Sequence, residues 1–384
     1  MSALPATMPT PRDEHWKYAN LRGLARARFE PSVSPPAETV ARITAALPKP
    51  LEGFERIVLI DGFVSSVSST PSAFTTTSPI SIAKLNADRY FLELNRRLRS
   101  DTLRLAVARH QKRSVEVVVV SLGTSHPAIE IALAEGAELS LIERHLPLSA
   151  DATVINLVIF AVVGVHAQFE LSRIVQASPK AQHVETIELR LCEGSASKFF
   201  QLTTGAALSR TTAFAAHDGR DSSLEWHAAA LGEGTQSHDA FVHVAHSAPS
   251  AKTLQQFRGI AADRSRVSFT GHMRVDTNAP YAQCDQSLKC LLTGSEAEAD
   301  VRPQLEILTD AVRASHGATV GKLDPDMLFY LLSRGIPEES ASSLLKWAFV
   351  SDVLRRLSNP AIRAEIEYSL ERVLPGAVAA RSGT

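Results

Sequence analysis

Histidine is the residue through which this 384-residue chain could do chemistry: there are thirteen, and one has an unusual setting. His316 stands between Ser315 and Gly317. There the alternating run of Leu305 and Ile307, with Gln304 and Glu306 between, gives way to a polar segment and then to a helix start, so the side-chain period changes from that of a strand to that of a helix. At such a junction the backbone can approach a partner and the imidazole is not obliged to pack. A neutral imidazole is a good iron ligand, whereas the plainer role is a junction-capping histidine. His238, His243 and His246 also lie close together. If AFVHVAH is a strand, His243 and His246 fall on opposite faces and cannot chelate one ion from it, although a neighbouring coil could supply a partner; hydrogen-bonded or surface histidines are the simpler reading. Asp218 and Asp221 beside His217 could form an acid/base pair of the kind polysaccharide-processing β-helices carry, or a solvated turn.

Other chemistries are excluded. Three cysteines (Cys192, Cys284, Cys290) are an odd, widely spaced set with no CxxC pair, which indicates neither a disulfide framework nor a zinc ribbon. No GxxxxGK[ST] occurs, so the chain is expected to bind no nucleotide and to hydrolyse no ATP by that route, and GxSxG and HExxH are absent too. A formal net charge of −1 supplies no electrostatic footprint for nucleic acid or an anionic membrane. The N-terminus lacks a basic n-region and an apolar h-region, and the run from Val154 to Val165 is interrupted by Asn156 and too short to span a bilayer. The expectation is a soluble cytoplasmic protein whose partners are proteins or small ligands.

The elements that must position these residues fall into three regions: 1–100, 101–320 and 321–384. The first is expected to be mainly helical. Trp16 and Tyr18 serve as packing anchors, a helix runs from Ala37 to Leu47, the Ser/Thr-rich stretch from Ser65 to Pro79 is a loop, and a second helix from Ser81 to Arg99 uses Phe91, Leu94 and Leu98. The second region is a succession of short strand candidates with breaks of a few residues, which admits a sandwich, a barrel or a parallel β-helix. Runs such as VVVV and VINLVIFAVV are apolar on both faces and favour the β-helix. Asp218-Gly219, a type I′ hairpin dipeptide, points instead to an antiparallel meander. The third region is helical. Asp324 is an N-cap with Pro325 behind it, and a helix from Glu338 to Leu357 carries two apolar stripes, Ala341/Leu344/Leu345/Ala348/Phe349 and Trp347/Val350/Leu354. A last helix from Asn359-Pro360 uses Ile362, Ile366 and Leu370 and stops at Pro375-Gly376.

The stretch from Pro303, reading PQLEI, SHGATVG, LD, LFYL and SRGI, resembles the SufB/SufD family of iron–sulfur cluster assembly proteins, on the SufD side of it. HPAIEIALAEGAELSLIE from His126, HDAFVHVAH, QQFRGIAADRSRVSFTGHMRV from Gln255 and WKYANL extend the resemblance over nearly the whole chain. It implies a mainly β fold, a right-handed parallel β-helix with helical N- and C-terminal regions. It also implies a non-catalytic scaffold that pairs with a SufB paralogue through the β-helix and docks the ABC-type ATPase SufC on its C-terminal helices, with a transient iron–sulfur cluster at the SufB interface. His316 matches the family histidine facing that site and is the candidate metal ligand; Trp347, Val350 and Leu354 are the candidate SufC contacts. Nothing in these residues decides for or against a flavin. The chain departs from the family pattern where Ala314 replaces the cysteine of CSHGAT, and where Ala251, Thr253 and Gln255 stand in place of a C, S and Q segment, so any thiolate at the site is expected from SufB. The other reading is a β-helix polysaccharide lyase or hydrolase built on Asp218 and Asp221, against which the missing secretion signal and the helical C-terminal cap count.

Overall fold

The computed structural model describes residues 8–69, 89–99, 101–149 and 151–375. Its centre is a parallel β-helix of about eight turns made of two long sheets, with successive strands alternating between them. This alternation is why strand candidates recur at short intervals while no repeat of that length exists. The coil is the repeating unit, and at about 29 residues it brings His243 beside His272, 29 positions on, and Arg144 beside Glu116, 28 positions back. The sheets are parallel throughout, the only antiparallel pairing among the described residues being Glu55–Ile60 with the two-residue strand Phe63–Val64. The first of these pairs in parallel with Val115 to Val120, so the solenoid reaches further towards the N-terminus than the composition of 1–100 suggests.

Asp218-Gly219 makes no hairpin. The strand before it, Leu208–His217, and the strand after it, Ser223–Gly232, belong to different sheets, and neither residue has the positive φ that a type I′ turn requires. Gly219 is needed for a different reason: a Cβ there would stand 1.9 Å from the backbone nitrogen of Glu193 in the coil below.

Alternate side chains point into the lumen, where equivalent positions of successive coils stack. One column runs Val115, Leu141, Leu171, Phe199, Trp226, with the last two rings stacked at 3.6 Å. Midway along the lumen lies a polar layer. Arg173, wholly buried, donates to Glu143 Oε1 (2.7 Å), Glu185 Oε2 (2.8 Å) and Gln201 Oε1 (2.9 Å), while His145 and His183 pair with the same two carboxylates. The guanidinium and the imidazole hold Glu143 down to about 2 against the opposing effect of burial.

The N-terminal segment straps the outer face of one sheet: Trp16 is buried against Phe91 and under the Arg210 guanidinium, with Arg266 over the Tyr18 ring. Helices α1 (Leu21–Arg26) and α3 (Arg89–Leu98) pack beside it through Leu24 and Phe91, whereas α2 (Ala37–Ala46) packs through Ile43 on Val58, Ile60 and Val118 of the other sheet; the expected start of α3 and most of the Ser65–Pro79 loop fall outside the described residues. After the last strand come α4 (Pro325–Ser333), α5 (Glu338–Leu354) and α6 (Pro360–Glu371). The Asp324 carboxylate caps α4 by accepting from the backbone N–H groups of Asp326 and Met327, and Asn359 caps α6 in the same way.

Candidate functional site

The β-helix is open at its C-terminal end. Among the described residues each of the last two strands, Glu298–Ile307 and Val312–Gly321, pairs on one side only, and nearly every residue of the latter is exposed. His316 lies at the middle of this edge. Its column is the one that begins at Val115, and above Trp226 it changes character to Gln255, Gln286 and then His316 at the mouth. Gln286 donates its amide to Gln255 Oε1 (2.9 Å) and to the carbonyl of Gly271 (3.1 Å). Its own Oε1 and the Gln255 Nε2 have no partner among the described residues, so the two buried side chains beneath His316 keep an acceptor and a donor uncommitted. Glycine at 271 is required for this contact, since a Cβ would stand 2.4 Å from Gln255 Oε1. Ser315, facing the other way, donates to the Asp285 carboxylate.

The neighbouring column explains what the alanine at 314 leaves. Beneath Ala314 stand Cys284, Thr253 and Leu224. Cys284 is fully buried, and burial pushes its thiol up to about 12, so the sulfur is protonated at neutral pH. It lies 3.6 Å from His246 Nε2, within a chain of hydrogen bonds whose direction the geometry fixes. Ser222 gives its proton to the Gly219 carbonyl and so accepts from His217 Nδ1; His217 Nε2 then accepts from Thr253, and Thr253 accepts from His246 Nε2. Desolvation holds both imidazoles neutral, His246 near 4. Sequence reasoning passed over Cys284, Thr253, Gln255 and Gln286 as a group because they are spread over about 30 residues. Only the coil length, unreadable as a repeat, brings them together.

His243 and His246 do lie on opposite faces, His246 inside the lumen and His243 outside against His272. His238 points inward as well and donates from Nε2 to the Gly205 carbonyl. The trio at 217–221 disperses: His217 is buried, while Asp218 is paired with Arg190 (2.6 Å) and Asp221 with Arg220 (2.9 Å) at the surface. No carboxylate pair is poised there for acid/base work. Among the described residues no three His, Cys, Asp or Glu side chains converge as a ready metal site, so His316 stands as a single imidazole.

The expectation of an exposed Trp347, Val350 and Leu354 stripe needs correction. All three are buried, at 4%, 0% and 2% exposure. They pack on the outer face of the β-helix against Ile174, Phe200, Leu202 and Ile260 and under α6 through Ile362 and Ile366. The flat apolar flank of a solenoid sheet covers what an isolated helical pair would leave wet, and Arg258 fixes the register by donating to Asp352. Of the other stripe of α5, Ala341 is buried and Phe349 packs against the same cluster, while the middle of the stripe is open. Leu344, Leu345 and Ala348 form with Met327, Tyr330 and Leu331 of α4 an apolar groove of about 490 Å³. Nothing on α4 is buried, and Phe329 is 72% exposed.

Residues 117–349 match the family model described as SUF system FeS cluster assembly, SufBD core domain. The iron–sulfur cluster assembly protein SufD of Escherichia coli K12 is 28% identical over 96% of this chain and 90% of its own length. The SufBD family protein slr0076 of Synechocystis is 23% identical over 94% of this chain and 86% of its own, and the chloroplastic protein ABCI7 of Arabidopsis thaliana 24% over 95% and 82%. No described helix is long and apolar enough to cross a membrane.

Proposed function

Because the chain belongs to the SufBD family of the SUF iron–sulfur cluster assembly system, we propose that it is the SufD-type scaffold of that system, pairing through the open end of its β-helix with a SufB-type paralogue. The observation that carries this reading is the uncapped mouth. Two strand edges present unpaired backbone groups, and Val320, Ile307 and Leu308 at the same end are about two-fifths exposed, a combination that a solitary protein would leave open to uncontrolled association. A partner strand laid on these edges satisfies the backbone and brings its side chains over His316.

The nascent cluster is cargo at that interface. This chain supplies one nitrogen ligand, His316, and no thiolate, because Ala314 has no sulfur and Cys284 is a buried, protonated thiol. The remaining ligands come from the partner. Gln286 and Gln255 below the imidazole offer polar atoms that can hold water or orient the ring, and the chain acts by positioning. The SufC-type ATPase docks on the C-terminal helices, and the α4–α5 groove, not the Trp347 stripe, is the surface that fits it.

The test is co-expression with SufB and SufC partners. The complex should co-purify, and His316→Ala should leave it assembled while lowering iron and acid-labile sulfide per complex. Normal cluster content in that variant refutes the ligand role; a large fall in melting temperature assigns the histidine to capping instead.

A further inference from the structure

We infer that His243 and His272 form a binding site for a divalent first-row transition ion on the outer face of the β-helix, separate from the mouth that holds His316. The two residues occupy one rung of adjacent parallel strands and point away from the lumen. Their Nδ1 atoms stand 3.1 Å apart. Two nitrogens each ~2.1 Å from one ion are separated by roughly 3.0 Å at a right angle and 3.4 Å at the tetrahedral angle, so this spacing is the bite of a two-imidazole site.

The surroundings set the tautomers. The Glu306 carboxylate faces His272 Nε2 at 3.7 Å, which keeps a proton on that nitrogen and leaves the His272 Nδ1 lone pair free to accept from His243 Nδ1–H. When an ion arrives, the His243 proton moves through solvent to its own Nε2, and both Nδ1 lone pairs converge without either ring changing charge. A carboxylate behind one ligating histidine is the arrangement that orients such rings and raises their basicity. Both imidazoles are held below the usual histidine range, first by desolvation and then, for His243, by its neighbour, so they are uncharged at neutral pH. Phe214 lies against the His243 ring, and His15 of the N-terminal strap stacks on Phe241 beside the pair, which walls one side of the site, while His272 keeps about a fifth of its side chain exposed. Arg274, Asp276 and Glu14 also face it. Among the described residues no third ligating side chain is already in place, so water completes the coordination. Imidazole donors select zinc, cobalt, nickel, copper or ferrous iron over magnesium and calcium, which prefer oxygen.

The experiment is titration of the full chain with Co(II) at pH 7.5, followed by its visible d–d absorption. The site predicts one Co(II) per chain, displaced by Zn(II) and untouched by excess Mg(II), with no sulfur-to-metal charge-transfer band. His243→Gln and His272→Gln should each weaken binding by at least about tenfold, Glu306→Gln should weaken it by about tenfold or somewhat less, and His316→Ala should change nothing. These side chains lie on an outer face, so unaltered melting temperatures serve as the check on folding. Equal affinity in wild type and both glutamine variants overturns the inference. So does a band that vanishes with His316→Ala, which would put the ion at the mouth, or a thiolate charge-transfer band, which would put it at Cys284.

Discussion

Replacing Trp347 with alanine separates packing from docking in the C-terminal helices. The indole is 4% exposed and lies in one cluster with Val350, Val353 and Leu354 of its own helix, the sheet residues Phe200, Leu202 and Ile260, and Ile362 and Ile366 of α6. Removing a buried Trp side chain leaves a cavity between two rigid surfaces, and truncations of this kind cost about 3–5 kcal/mol. The sheet cannot collapse into the gap, because its strands are fixed by the coils on either side, which argues for the upper part of that range. The loss falls on the attachment of α5 and α6 to the solenoid, so these helices should unfold first. Guanidinium denaturation followed by tryptophan fluorescence and by far-ultraviolet circular dichroism should show an earlier transition for the helical signal than for the sheet. The companion variant is Tyr330→Ala at the α4–α5 groove, where the side chain is 56% exposed and little stability is at stake. It should weaken SufC binding by calorimetry and leave the denaturation curve within about 0.5 kcal/mol of wild type. The reasoning fails if Trp347→Ala proves as stable as wild type and loses SufC binding, since the stripe would then be the docking surface and the packed arrangement of α5 would be wrong.

Arg173→Met should destabilise the β-helix by about 3–5 kcal/mol, because it strands Glu143 and Glu185, both wholly buried, without their cation; a midpoint shift under about 1 kcal/mol in urea would mean that the two histidines already neutralise the pair. Stability should also fall on acidification through a window set by buried histidines. His238 is held near 4 in the folded protein by desolvation against an ordinary value of 6.5, so between those limits the unfolded chain binds a proton that the folded one does not. The contribution is therefore full above pH 6.5 and lost as pH falls towards 4, with a slope approaching about 1.4 kcal/mol per pH unit. His238→Gln, which keeps a donor for the Gly205 carbonyl, should flatten that part of the curve, and an unchanged slope would disprove the assignment.

Much of the fold is legible in the chain, since the doubly apolar strands, the helical ends and the caps at Asp324 and Asn359 are local signals. What is not legible depends on coil length. Cys284 and Thr253 share a column, as do Gln255, Gln286 and His316, only because each coil takes about 29 residues, and coils that range along the latter column from 26 residues (Val115 to Leu141) to 31 (Gln255 to Gln286) blur that repeat. Asp218-Gly219 misled for a related reason: a glycine demanded by close approach to the coil below carries the same dipeptide signature as one demanded by positive φ. The two stripes of α5 were both visible, but which one the sheet would cover depends on the outer face of strands 80 to 200 residues earlier, and no local pattern encodes it. His316 was visible by its setting; its solitude was visible from Ala314.

The column under His316 bears on why the mouth is built as it is. From Val115 to Trp226 the positions are filled by aliphatic and aromatic residues, the most economical way to stack coils, since each adds buried apolar area at no cost in desolvated polar atoms. At Gln255 and Gln286 the chain gives this up. Both are buried, and each keeps an amide atom without a partner among the described residues, a cost of about 1–3 kcal/mol per group. Leucine at either position would bury more apolar area and leave nothing unsatisfied. A polar ladder confined to the two coils beneath the open end, above a plug of stacked Phe199 and Trp226, therefore serves what sits at that end. It leaves an acceptor and a donor at the floor of the mouth, and the stacked Phe199 and Trp226 separate that polar ladder from the aliphatic positions of the same column in the lower coils.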